Sequence, residues 1–66
     1  MEVLVVDTQG AALRTGLSVA TLEKKRVHGN GPPFLKLGRS VRYRLADLDE
    51  WMARRLVAST SERTLK

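Results

Sequence analysis

A chain of 66 residues without cysteine has room for one small core and no second domain, and it excludes disulfides and thiolate zinc sites. Twelve Lys and Arg against seven Asp and Glu give a net charge of +5, a balance that favours polyanions, of which nucleic acid is the commonest inside a cell. No stretch approaches the roughly 18 apolar residues of a membrane-spanning helix. The apolar run at residues 3–6 is too short for a signal peptide and follows no basic region, so a soluble, cytoplasmic protein is expected.

In chain order, residues 2–6 are apolar and β-branched, which predicts an extended segment lying on the core. Asp7 or Thr8 can cap a short helix over residues 9–14, which Gly10 weakens by up to about 1 kcal/mol relative to alanine. Thr15-Gly16-Leu17 makes a turn, and Ser18 caps a second helix running to His28. Ala12, Gly16 and Leu22 fit the small–Gly–apolar spacing of a helix-turn-helix, in which a small residue lets two helices approach. Lys25 stands where an apolar side chain would close that seam; its stem can pack while the ammonium reaches solvent.

Gly29-Asn30-Gly31-Pro32-Pro33 ends the helix. Residues 34–37 and 41–44 read as strands joined by a Gly38-Arg39-Ser40 tip. The alternation puts Leu35 and Leu37 with Val41 and Tyr43 on the core face, and Lys36, Arg42 and Arg44 on the other. A last helix over residues 46–56 carries a stripe of Leu45, Leu48, Met52 and Leu56 with Trp51 beside it, acidic residues early and Arg54 and Arg55 late. Residues 57–66 read as a flexible polar tail, so residues 1–56 form the domain. Charge is not spread evenly: residues 1–17 carry a net −1, residues 18–44 a net +6, and residues 45–66 none. The second helix and the hairpin hold the whole excess.

Gly31-Pro32-Pro33-Phe34, then Leu37-Gly38-Arg39 with Val41-Arg42-Tyr43, then Asp47-Leu48 with Trp51, follow the helix-turn-helix in that order. Together they resemble the small winged helix-turn-helix proteins of the excisionase and AlpA group, distant relatives of the MerR DNA-binding domain, over about residues 6–56. The resemblance implies a mainly α fold with a small β-hairpin: helix-turn-helix, two-stranded wing, C-terminal helix. It also implies double-stranded DNA as the ligand, with residues 18–28 in a major groove and the Gly38-Arg39-Ser40 wing on an adjacent minor groove or the backbone. Gly10 and Ala46 depart from the group, which more often has a charged or hydroxyl residue there.

The candidate groove residues are Ser18, Val19, Ala20, Thr21, Glu23, Lys24, Lys25, Arg26 and His28. Lysine donates to guanine O6 and N7, and glutamate accepts from cytosine N4. Lys24 and Arg26 are read as DNA contacts. For Glu23 and Thr21 base contact and a solvated face stand side by side, and Lys25 is read as partly structural. His28, lacking a metal-ligand partner, is a helix-end cation or a phosphate contact. In the wing, Arg39 with Ser40 forms the tip, suited to a narrow minor groove, while Lys36, Arg42 and Arg44 suit phosphates. Trp51 and Tyr43 are assigned to the core.

No paired base and nucleophile supports catalysis, and no cofactor, metal or small-molecule ligand is expected. The first functional reading is a recombination directionality factor that binds and bends DNA at the attachment region of a mobile element so that an integrase excises it. The alternative is an AlpA-like transcriptional regulator at a promoter. A third reading, a protein-interaction module for an acidic partner, explains less well why helix and hairpin are cationic together. One such domain offers about 600–1,000 Å² of interface, so a dimer or a head-to-tail array on DNA is expected, in the cytoplasm and associated with the nucleoid.

Overall fold

The computed structural model describes residues 4–56, so the expected tail at 57–66 and the first residues of the extended segment lie outside the described residues. The elements are β1 (Val5–Val6), α1 (Thr8–Thr15), α2 (Val19–His28), β2 (Leu35–Leu37), β3 (Ser40–Arg44) and α3 (Leu45–Ala53). This is a winged helix-turn-helix, with three helices and a small antiparallel sheet. The extended N-terminal segment does more than lie on the core. It pairs with β3 as a third strand, giving the order β1-β3-β2.

Each helix starts where its flanking chemistry demands. The Asp7 carboxylate accepts from Gly10 N at 2.9 Å, so α1 begins at Thr8. The α1–α2 turn is held by Thr15, whose hydroxyl donates to the Ala11 carbonyl at 2.8 Å and accepts from Leu17 N at 3.3 Å. Gly16 turns the chain at φ 79°, a value that a side chain would strain. Ser18 Oγ then accepts from Thr21 N at 3.0 Å to cap α2. The cap residue of α3, Arg44, offers no acceptor; instead the Leu4 carbonyl takes the Leu45 amide at 2.9 Å, and Asp47 in the first turn holds Arg44 Nε at 2.7 Å. The β1 segment therefore also anchors the start of the last helix.

The core is Ala11, Leu22, Tyr43 and Leu48, ringed by Val6, Ala12, Leu17, Val41 and Leu45. The small residue at the helix crossing is thus Ala11, and Ala12 is only half-buried. Gly10 serves packing: a Cβ there would lie 2.7 Å from Val6 Cβ, so its absence lets α1 sit down on β1. Gly31 has the same relation to Lys25, whose Cβ would lie 2.8 Å from an added Cβ. The Lys25 stem thereby rests on the loop after α2, which accounts for a lysine at that seam position.

Three expectations need correction. The hairpin tip has two residues, Gly38 and Arg39, because Leu37 pairs with Ser40. Gly38 at φ 66° occupies the first central position, where the primed hairpin turns that match strand twist need a positive φ. With two residues in the loop instead of three, the register slips by one and the faces exchange. Lys36 lies opposite Val41, and Leu35 opposite Arg42. Lys36 therefore shares the face of Val41 and Tyr43, whereas Leu35 and Leu37 share the outer face with Arg42 and Arg44.

The second correction concerns α3, which ends at Ala53. Beyond it the amides of Arg55 and Leu56 bond to the carbonyls of Met52 and Ala53, a three-residue repeat that rotates Leu56 off the apolar stripe and leaves it 81% exposed. Arg54 and Arg55 consequently follow the helix; Arg54 pairs with Glu50 at 2.9 Å. Thirdly, Trp51 is half-buried at the rim, its ring covered by the Arg55 guanidinium 4.2 Å from the centroid. Tyr43 is buried, as expected.

A bidentate pair joins α1 to α3, with Arg14 Nε and Nη2 on the two Asp49 oxygens at 2.9 and 2.7 Å. These hydrogen bonds, more than the attraction between charges, hold the Asp49 carboxyl below its ordinary value of 3.8. A carboxyl lowered in the folded state stabilises the fold above its unfolded pKa, and that contribution is lost as pH falls through the folded value. Asp49→Asn should accordingly lower Tm slightly at pH 7, and the gap to wild type should close as pH drops below about 4. A second thermal-melt test concerns Gly10→Ala. Helix propensity alone favours alanine, but the close approach of Val6 predicts a loss of about 1–3 kcal/mol and a lower Tm.

Candidate nucleic-acid interface

Helix α2 presents two sides with different duties. Leu22 is buried, Lys25 is half-buried against the loop after α2, and Arg26 is half-buried toward the hairpin. Ala20, Glu23, Lys24 and Val27 are all exposed. At 100° per residue these four fall within an arc of about 100°, forming one outward stripe about 10 Å long. An α-helix with such a stripe fits the major groove, where base edges offer donors, acceptors and the thymine methyl.

The other candidates on α2 are engaged internally. The Ser18 hydroxyl donates to Thr21 Oγ1 at 2.8 Å while accepting from its amide, so the two hydroxyls close on each other. Val19 is half-buried against an open apolar hollow, about 500 Å³, that it lines with Ala12, Leu13 and Leu17. His28 Nδ1 donates to the Lys24 carbonyl at 2.8 Å, folding the ring onto its own helix end. Arg26 donates from Nη1 to the Tyr43 hydroxyl at 3.0 Å and lies 5.7 Å from the centroid of Phe34. Phe34 in turn packs on Tyr43 with ring centroids 6.2 Å apart. Arg26 therefore ties α2 to the sheet, a duty its charge alone did not announce.

On the wing, Arg39 and Ser40 are exposed at the tip, and Lys36 is exposed on β2. Arg42 is half-buried and donates to the Val41 carbonyl at 2.8 Å, and Arg44 is held by Asp47. Among the described residues Lys24, Lys25, Lys36 and Arg39 are the candidate cations that make no side-chain hydrogen bond or ion pair. Val27 was absent from the candidates; its place three residues after Lys24 and seven after Ala20 was the available signal. The described residues contain no cluster of three His, Cys, Asp or Glu able to hold a metal, and none of their helices is long and apolar enough to cross a membrane.

A helix-turn-helix domain family matches residues 5–56, from β1 to just beyond α3. The chain belongs to this family, which is typical of excisionase-like and AlpA-like small DNA-binding proteins and typically non-enzymatic. It is a DNA-binding protein. A search of curated proteins finds no significant match.

The Arg26–Tyr43 contact can be tested away from DNA. Tyr43→Phe keeps the buried ring and removes only the acceptor, so urea unfolding should show a loss of about 1–2 kcal/mol. An unchanged midpoint would mean that Arg26 gains as much from water as from Tyr43.

Proposed function

We propose that this chain is a sequence-specific DNA-binding protein of the excisionase type. In this reading it loads beside the attachment region of a mobile element in the cytoplasm, on nucleoid DNA, and bends the duplex so that an integrase can excise the element. The observation that carries the reading is a pair of exposed cations, Lys24 on the outward stripe of α2 and Arg39 at the wing tip, neither of which makes a side-chain hydrogen bond or ion pair among the described residues. Lys24 is assigned to base edges, with Ala20 and Glu23 beside it, and Arg39 with Ser40 to an adjacent minor groove or backbone. Lys36, Lys25 and the outer arginines Arg42 and Arg44 supply phosphate contacts once their present partners exchange for phosphate oxygens. Ser18, Val19, Thr21, Arg26 and His28 act by shaping and seating the helix that carries the stripe.

The small interface a single domain offers, about 600–1,000 Å², favours several copies on adjacent sites, as a dimer or a head-to-tail array. Bending serves that arrangement, since deformation of the duplex is repaid by contacts the bend permits.

A gel-shift titration on DNA flanking the gene, with circularly permuted fragments, tests the proposal. Cooperative binding near an attachment site with a large bend is the expected result; binding confined to a promoter with little bend replaces excision with transcriptional regulation. Lys24→Ala and Arg39→Ala should each weaken binding while leaving Tm unchanged, and Arg39→Ala should reduce the salt slope by about one. No salt-sensitive binding to any DNA would sink both readings and favour a protein partner instead.

A further inference from the structure

The outward stripe of α2 ends in a residue that folding does not explain. Val27 is 84% exposed, in the last turn of a helix whose other solvent-facing side chains in the same stripe include Glu23 and Lys24. A β-branched side chain is mildly unfavourable in a helix, so valine there gains nothing from local propensity. It does not belong to the core or to the ring of side chains around it. Leu13 is equally exposed, but it lies on α1 beside the hollow that Ala12 and Leu17 also line, where neighbouring apolar surface accounts for it. Val27 has instead Lys24 and Glu23 one turn before it, about 5–6 Å away along the face.

In a major groove the base edges present one apolar group, the C5-methyl of thymine. Building on the assignment of the α2 stripe to the major groove, we propose that Val27 is a specificity-determining residue that packs on a thymine methyl. The stripe spans about 10 Å from Ala20 to Val27, which is about three base-pair steps of 3.4 Å. Lys24 and Glu23 then address, by hydrogen bonding, the middle of the roughly four base pairs so spanned, and the two apolar ends, Ala20 and Val27, address the flanks by shape. Of these ends only Val27 is large enough to cover a methyl group closely. The contact would exclude water from both partners and carry no charge, so its share of the affinity is insensitive to salt.

The test uses the full chain and a duplex selected from a random pool by the protein itself. Each thymine of the selected site is replaced in turn by deoxyuridine, which removes the C5-methyl and leaves every hydrogen-bonding group in place. Wild-type protein should lose about fourfold in affinity at one or two positions, the loss expected for one buried methyl group, equally at low and high salt. Val27→Ala, with Tm unchanged or slightly raised because the side chain is exposed and alanine favours helix, should bind thymine and deoxyuridine at those positions with equal affinity. A selected duplex that shows no deoxyuridine sensitivity overturns the inference, as does a Val27→Ala protein that keeps the full wild-type sensitivity. Failure to select or bind any duplex overturns the groove assignment of α2 itself, an outcome distinct from tight but methyl-blind binding.

Discussion

One contact joins the two parts of this molecule that face DNA in the proposed reading. Tyr43 lies one residue before the end of β3 with its ring in the core beside Leu22 and Leu48, and its hydroxyl accepts from Arg26 of α2. Phe34, just before β2, packs on the same ring and lies under the same guanidinium. A helix and a hairpin in so small a domain have little shared apolar surface, so a charged hydrogen bond and a cation–π contact at one point carry much of their alignment. The distance between α2 and the wing is thereby a property of the fold, set before any DNA is met. Pre-set geometry of that kind spares a binding protein the cost of ordering two separate elements on its ligand.

The same economy appears in the way short elements borrow from one another. β1 has only two residues, yet it completes the sheet, offers the Leu4 carbonyl to the first amide of α3 and lays Val6 against Gly10. Small domains bury a limited fraction of their surface, so each backbone group that does two tasks has a large proportional effect. Arg14 and Asp49 close the remaining side by bracing α1 against α3 across the surface.

Local chemistry was legible in the sequence wherever one residue type has one strong structural use. Ser18 as a cap, Gly16 as the turn and Leu22 as the anchor are of this kind. So was the family, because several weak motifs stood in a fixed order. Features that depend on a partner distant in sequence were not legible. Gly10 looks like a defect in a helix until Val6 is placed against it, and Lys25 looks like a defect in a seam until Gly31 is placed under its stem. Ala11 and Ala12 are equivalent as letters, and only the direction of α1 decides which is buried. Arg26 counted as one more positive charge, although its neighbours make it the least free of the α2 cations. The face of each wing residue depended on whether the tip held two residues or three, a difference of one that alternation alone cannot detect.

That last feature limits how such a wing can change over time. Because pairing across a two-residue loop sets which side chains oppose, adding or deleting a single residue at the tip would turn Leu35 and Leu37 inward and push Lys36 out. Length variation in the hairpin is therefore tolerated in steps of two, or through a bulge that absorbs the extra residue. Wings of odd and even loop length would then be separate lineages of surface chemistry, each able to drift in composition but passing into the other by one insertion only where a bulge forms with it.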